Sequence, residues 1–511
     1  MKRGAILITL LVLFLYNFPN FYGYINPPKD KVYLGQVSWF DPWDINVYVS
    51  AIRWSQTHGL KFQNAYTTMP HKPIVLYPLY TLLGVLFPST NPFLIFNIST
   101  VIAGGVLMLT IYRVSQAFLK RKGINAALFL IPLAGGFGWL FYPKVFLPDI
   151  TMTPFTFAST FQRAHEALAI SFYLISLSFY FLGQKRNSLK YLSLSGLALG
   201  VLAFIYPFYL LSFYLIFFIY ALFLARKRKS VQPIKNIFLP IALSLPPGIL
   251  YSLHLLSSTA FKGVFSPNLP TPNPISLFLG YGILSTFLLM QFFLKRKWSE
   301  HLIFLNTWFL LSIILSYLPT GFARYYLRAL FFPATLLVLS QLKDFSLFFK
   351  TRKKSLVFLL VILLPTTTFI ILSARFAMAF GVGGEISNWS YVAKEEYDLV
   401  SFLNKNTKKG VGVLSAYFMG NIIPANTGSR VYFGHYYQTP NSQDKIKVMS
   451  KFYANQMMEE EAKNFLQEEE IKYIVWSSEE KEITKKGGAS NLRYPFLKKI
   501  FENDKATIYE Y

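Results

Sequence analysis

The sequence predicts an α-helical polytopic membrane protein with about eleven transmembrane helices, followed by a small water-soluble α/β domain over about 388–511. Three observations predict it. Of 511 residues, 53% are hydrophobic and only 14% charged, and the apolar ones come in long blocks rather than at amphipathic spacing. Blocks such as 5–18, 191–224 and 356–372 approach or exceed the roughly 20 residues a helix needs to cross about 30 Å of hydrocarbon. After Gly383-Gly384 the composition turns abruptly to one rich in Lys and Glu.

Helices are expected in the apolar blocks because lipid offers no partner to backbone N–H and C=O groups. The first block follows Lys2-Arg3 and ends in Asn20-Phe21-Tyr22-Gly23-Tyr24, without a small-residue cleavage site, so it reads as a retained first span. With no cysteine, disulfides, thiolate metal ligands and thiol nucleophiles are excluded. A net charge of +26 raises nucleic acid as a partner, but the basic residues sit in short clusters between apolar blocks, which is the pattern of positive inner loops. No nucleic-acid partner is expected.

Those clusters are Lys2-Arg3, Lys120-Arg121-Lys122, Lys185-Arg186, 226–229, Lys295-Arg296-Lys297 and Arg352-Lys353-Lys354. If all are cytoplasmic, successive clusters are separated by an even number of crossings. Helices near 4–22, 93–118, 123–142, 164–183, 189–206, 207–225, 235–256, 274–294, 301–318, 326–343 and 355–374 meet that condition. The N-terminus is then cytoplasmic and the C-terminal domain extracytoplasmic. Counting 74–87 as a crossing breaks the parity, so it is expected to lie against or dip into the outer leaflet. The expected domains are 1–384, a membrane domain with an outer loop at 23–92, and 385–511. Within the latter, helices are expected at 395–404 and 459–467, strands at 411–415, 473–476 and 506–509, and a short helix or turn at 496–501.

Candidate chemistry falls on the outer loops. In Trp39-Phe40-Asp41-Pro42-Trp43-Asp44, Asp41 occupies a helix N-cap and Pro42 the first helical position. Asp44 then has two readings: a carboxylate favoured by the helix dipole, or, with Tyr48 one turn on, a proton acceptor beside the membrane. Lys72 is either a snorkelling anchor or a point charge for a lipid phosphate. Asp149 is either an ordinary loop acid or a second acid of the site. Arg163, His165 and Glu166 crowd three ionisable groups at a helix mouth, which points either to an interfacial cluster or to a lined cavity. Arg324 and Arg328 lead into a span on the side that the charge rule disfavours, and a guanidinium matches a phosphate bidentately. The sequence shows no metal-ligand cluster and no Gly-rich phosphate loop, so no cofactor is expected, and a divalent cation stays open without support from the sequence.

These residues resemble the GT-C superfamily of polytopic glycosyltransferases. The similarity lies in a first helix followed by a large outer loop with an early aspartate, here Asp44-Ile45-Asn46-Val47-Tyr48, and continues through Gly59, Tyr66-Thr67-Thr68 and His71-Lys72-Pro73. Pro148-Asp149-Ile150-Thr151, Phe161-Gln162-Arg163-Ala164-His165-Glu166 and Arg324 are similar as well, and Tyr494-Pro495-Phe496-Leu497 resembles the tail of many bacterial members. Ile45 stands where the family's usual Asp-Glu pair has its glutamate, and Ile74 where it has a second proline after the lysine. The resemblance implies a hexosyltransferase-type enzyme that uses a polyprenyl-phosphate-linked sugar at the extracytoplasmic face, with inversion. It implies Asp44 as catalytic base, Asp149 as a second acid, and Lys72, Arg324, Arg163 and His165 on the donor phosphate, with Tyr48, Glu166, Arg328 and Asp41 as further candidates. Its partners are the lipid-linked donor, membrane lipids and a lipid, glycan or protein acceptor. A multi-pass transporter or lipid flippase is the alternative, and paired broken helices at mid-membrane depth favour it.

Overall fold

The computed structural model describes residues 3–258, 260, 269–294 and 298–511, with the backbone alone at 385 and 386. Lys2, the Lys295-Arg296-Lys297 cluster and much of the expected outer loop 257–273 lie outside the described residues. By compactness the chain forms two units: Met1–Pro19, Ile98–Ser252 and Asn268–Ala377 in one, and Asn20–Asn97, Leu253–Pro267 and Met378–Tyr511 in the other.

The fold is a helical membrane protein with a small sheet-containing region near its C-terminus. Among the described residues, seven helices are long and apolar enough to cross a membrane: Arg3–Ile25, Pro92–Ser115, Arg121–Phe141, Ala164–Arg186, Tyr209–Arg228, Gln232–Leu256 and Lys353–Ala379. Two bent pairs bring the count to nine, Pro274–Tyr281 with Ile283–Phe293 at 102° and Ala323–Ser340 with Leu342–Phe348 at 59°. The two remaining expected spans are shorter apolar helices, Leu189–Ala203 and Glu300–Leu315. Gly282 makes the sharper bend, since its φ of 56° and ψ of −130° are open to a residue without Cβ. Inside the membrane unit, buried amides link helices across the apolar core: Gln291 Nε2 donates to Asn306 Oδ1 at 2.8 Å, and Gln341 Nε2 to Gln291 Oε1 at 3.1 Å.

The second unit joins the first long loop to the tail. Strand β1 (Lys31–Tyr33) pairs antiparallel with β2 (Tyr391–Ala393), Val32 opposite Val392. Leu34, Val47 and Tyr66 of the loop share one buried cluster with Val392, Leu399, Val413, Ile422 and Ile508 of the tail. The segment 23–92, expected to belong with the membrane helices, therefore takes its core from the C-terminal residues. Strands β3 (Gly412–Leu414), β4 (Arg430–Val431), β5 (Ile471–Trp476), β6 (Lys498–Glu502) and β7 (Thr507–Glu510) form a sheet of order β4-β3-β5-β7-β6, parallel across β4, β3 and β5 and antiparallel across β7 and β6. The expected short helix or turn at 496–501 is instead largely edge strand β6, whose pairing to β7 supplies hydrogen bonds that a lone apolar-charged hexamer does not advertise. The helix Pro78–Leu86 has nine residues, about 14 Å, too short to cross a bilayer. It packs closely on the helix Pro42–His58, where a Cβ at Gly84 would meet the carbonyl of Ile52, and it leaves Leu82, Val85 and Leu86 exposed.

Candidate functional site

Asp44 sits in the first turn of the helix Pro42–His58, with Pro42 at its start as expected. Asp41 holds the N-cap position in the left-handed region (φ 40°), and its side chain makes no capping hydrogen bond. The Asp44 side chain is 27% exposed, and its Oδ1 lies 2.9 Å from Nε2 of buried His435. The other imidazole nitrogen, Nδ1, accepts backbone N–H groups from Tyr437 at 3.1 Å and Gln438 at 3.3 Å. That arrangement sets the tautomer: Nδ1 carries no hydrogen, Nε2–H donates to the carboxylate, and the ring is neutral.

Two interlocked loops hold His435 there. Phe62 and Ile74 exchange backbone hydrogen bonds at 2.7 and 3.1 Å, closing the loop that contains Tyr66 and His71. Asn64 ties that loop to the tail, its Nδ2 donating to the carbonyl of Gln438 at 2.7 Å, and Thr439 Oγ1 donates to the carbonyl of Tyr66 at 2.9 Å. The Tyr66 ring meets His435 edge-on at 5.9 Å. Burial, with Asp44 a lesser cause, pushes the Tyr66 phenol up. His71 locks the same loop: Nδ1 faces the carbonyl of Met69 at 2.8 Å, and Nε2 accepts the N–H of Asn64 at 2.9 Å. Lys72 beside it is exposed. Tyr48, one turn beyond Asp44, is buried, stacked on Tyr80 at 5.0 Å and edge-on to Tyr77 at 5.3 Å.

The membrane unit carries the cations. Glu166 Oε1 receives Arg163 Nη1 at 3.2 Å and Arg328 Nη2 at 3.3 Å, with all three side chains 2% exposed. Two guanidiniums thus share one carboxylate oxygen. Arg328 also lies over the rings of Tyr206 at 4.7 Å and Tyr325 at 5.2 Å, while its Nε and Nη1 are buried and meet no hydrogen-bond acceptor among the described residues. His165 is buried beside this cluster, within the electrostatic reach of both arginines. Arg324 is half-buried in the short 3-10 turn Ala323–Leu327, against the Tyr325 ring at 5.7 Å. Because the α-helix starts only at Phe331, Arg324 and Arg328 do not share a helical face.

Asp149 is fully buried, and its Oδ2 accepts the N–H groups of Gly136 at 2.8 Å and Gly138 at 3.0 Å. It brackets the break in the span Arg121–Phe141. Burial pushes its carboxyl up to about 6 against these hydrogen bonds. Two further residues carry little signal in the sequence. His435 follows a glycine in an unremarked stretch, and its only local signal is the Tyr436-Tyr437 pair after it. Arg375 closes an apolar block; it is fully buried in the membrane unit and donates to the carbonyl of Tyr16 at 2.7 Å. Among the described residues no group of three or more His, Asp or Glu is arranged to hold a metal ion.

No family model matches the chain, and no curated protein matches it. Solved structures do match in fold. An Archaeoglobus fulgidus oligosaccharyltransferase, tethered to an acceptor peptide containing the NVT sequon, aligns over 93% of this chain and 68% of its own with a TM-score of 0.57 at 15% identity. The oligosaccharyltransferase AglB of that organism, in complex with an inhibitory peptide and a dolichol-phosphate, aligns over 92% and 68% with a TM-score of 0.53 at 14% identity. An oligosaccharyltransferase complex from the same organism with Zn and sulfate covers 99% and 73%, with a TM-score of 0.54 at 14% identity. At these identities the likeness is one of fold, and that fold is GT-C-like.

Proposed function

We propose that this chain is an integral-membrane glycosyltransferase that moves a sugar from a polyprenyl-phosphate-linked donor to an acceptor hydroxyl at the extracytoplasmic face, with inversion. The observation that carries the reading is the partly open Asp44 carboxylate held by a neutral, tautomer-locked His435. The fold likeness to oligosaccharyltransferases, one of them seen with a dolichol-phosphate, supports it.

In this reading Asp44 accepts the proton of the acceptor O–H as the oxygen forms its bond to the anomeric carbon. The bond from that carbon to the phosphate oxygen breaks with its electron pair, and the polyprenyl phosphate departs as the anion. His435 holds the carboxylate through Oδ1 and so fixes its orientation toward the acceptor. Arg163 and Arg328, with Arg324, Lys72 and His165 as further candidates, stabilise the departing phosphate, because guanidinium donors in a low-dielectric setting favour charge that develops in the transition state. Asp149, whose Oδ2 is committed to backbone N–H groups, acts as a positioning acid for the Gly136–Gly138 turn.

The test replaces the native chain with Asp44→Asn in its host and measures glycans and lipid-linked sugars by mass spectrometry. Transfer should fall by about 10²- to 10⁴-fold at an unchanged protein level. A glycan profile identical to that of the native chain rejects Asp44 as the base.

A further inference from the structure

Beside Asp44 runs a row of aromatic rings to which the mechanism above gives no role. Trp43 and Trp389 meet at 5.9 Å and 71°, Trp389 and Tyr417 at 6.0 Å and 82°, and Tyr417 and Tyr436 at 6.3 Å and 61°. Each ring is braced edge-on by the next, so the row is a fixed wall. It stays open to solvent: Trp43, Trp389 and Tyr417 are half-buried, Tyr436 is 49% exposed and its neighbour Tyr437 42%. The wall is tied to the acid–histidine pair at both ends, since Trp43 precedes Asp44 and Tyr436 follows His435 in the chain.

Its middle is anchored from the opposite side. Glu480 accepts the N–H of Ala416 at 2.6 Å and Glu479 that of Phe418 at 2.8 Å, which fixes the first turn of the helix Tyr417–Thr427. Burial, then the nearby carboxylates Asp44 and Asp41, push the Tyr417 phenol up, so two acids act on the same stretch of wall.

We infer that this wall is the acceptor subsite and that the acceptor it takes is a sugar. The inference rests on the reading of Asp44 as the base. A pyranose has a face of C–H bonds, which packs on aromatic rings, and a rim of hydroxyls, which donate to carboxylates. Trp43, Trp389, Tyr417 and Tyr436 supply the first complement, and Asp41 and Asp44 the second. A peptide acceptor is gripped chiefly through its main chain along a strand edge or groove, whereas this surface presents partly exposed aromatic rings and acids. Trp and Tyr also gather at lipid headgroups, but two carboxylates among the rings oppose immersion there.

The experiment uses the full chain in nanodiscs, titrated with the methyl glycosides of glucose, galactose, mannose and N-acetylglucosamine and followed by saturation-transfer NMR. At least one glycoside should bind, and Trp389→Ala and the exposed Tyr436→Ala should each weaken it about tenfold. Trp389→Phe should retain most of the binding. The inference is overturned if no glycoside binds, if both alanine variants bind as the native chain does, or if an NVT peptide binds at these rings instead. It is equally overturned if brominated phospholipid quenches tryptophan emission and Trp389→Phe removes that quenching, which would place the wall in lipid. Unchanged transfer by Asp44→Asn would sink the base assignment and leave the glycoside titration standing, so the two failures are distinguishable.

Discussion

Arg163, Glu166 and Arg328 in the membrane unit keep only 2% of their side chains exposed, and two guanidiniums compete for one carboxylate oxygen. Asp44 in the second unit keeps 27%, and its partner His435 is a neutral donor pinned by two backbone N–H groups. In the first, charge is desolvated and held on one shared carboxylate oxygen. In the second, a carboxylate keeps its access to solvent and its partner contributes orientation without neutralising it. In the function we propose, the contrast suits two tasks: receiving a phosphate that comes with its own charge, and taking a proton from a hydroxyl that arrives without one.

Removing the shared carboxylate is the strongest way to break this contrast. Glu166→Gln removes the buried carboxylate that Arg163 and Arg328 share, and should cost about 3 to 5 kcal/mol in thermal or denaturant unfolding of the solubilised chain. Asp44→Asn, by contrast, should change stability by less than about 0.5 kcal/mol, as expected at a partly solvated position. Equal losses in the two variants would erase the distinction between a buried charge store and a poised base.

The membrane architecture was legible because hydrocarbon imposes length and composition directly. The seven long helices, two bent pairs and two short helices fall on the expected segments, although two of those segments bend at a break, one of them at Gly282. The individual acids and arginines stood out for the same reason, being rare in apolar surroundings. What connects them was hidden. Asp44 and His435 are 391 residues apart, and no local pattern encodes a contact at that separation. The helix Tyr417–Thr427, which packs on the helix of Asp44, contains Gly420, Asn421, Pro424 and Asn426, so propensity argued against it and burial overrode that. Likewise Asp149 reads as a loop acid, and only the folded chain turns the N–H groups of Gly136 and Gly138 toward it.

Asp149 sharpens the contrast within the membrane unit, because it is as buried as Glu166 and no guanidinium among the described residues pairs with it. Its carboxyl is raised from 3.8 to about 6, so the folded state holds a proton there that the unfolded chain releases. Its contribution is therefore fully present below about pH 4, falls as pH rises toward 6, and is level above that, a change on the order of 3 kcal/mol. Asp149→Asn should abolish this dependence. Melting temperatures of the native chain and the variant from pH 4 to 7 check it: the native chain should lose ground to the variant across the window, and parallel curves would reject the assignment.

His435 tests the other side of the comparison, and with the smallest expected effect. If its work is to aim Oδ1 through Nε2–H, His435→Ala should reduce transfer by about 100-fold, the usual cost of a misplaced reacting group. His435→Gln keeps an N–H donor within reach of Asp44 and should recover much of that loss. The loss in His435→Ala should fall on kcat rather than on KM, since the group acts on the base and not on the substrate. Because His435→Gln keeps a donor to the same oxygen, its pH profile should keep the native shape at a lower height. A limb of the native profile that vanishes in His435→Gln would mean that the histidine itself exchanges the proton, and the roles of the pair would have to be reversed.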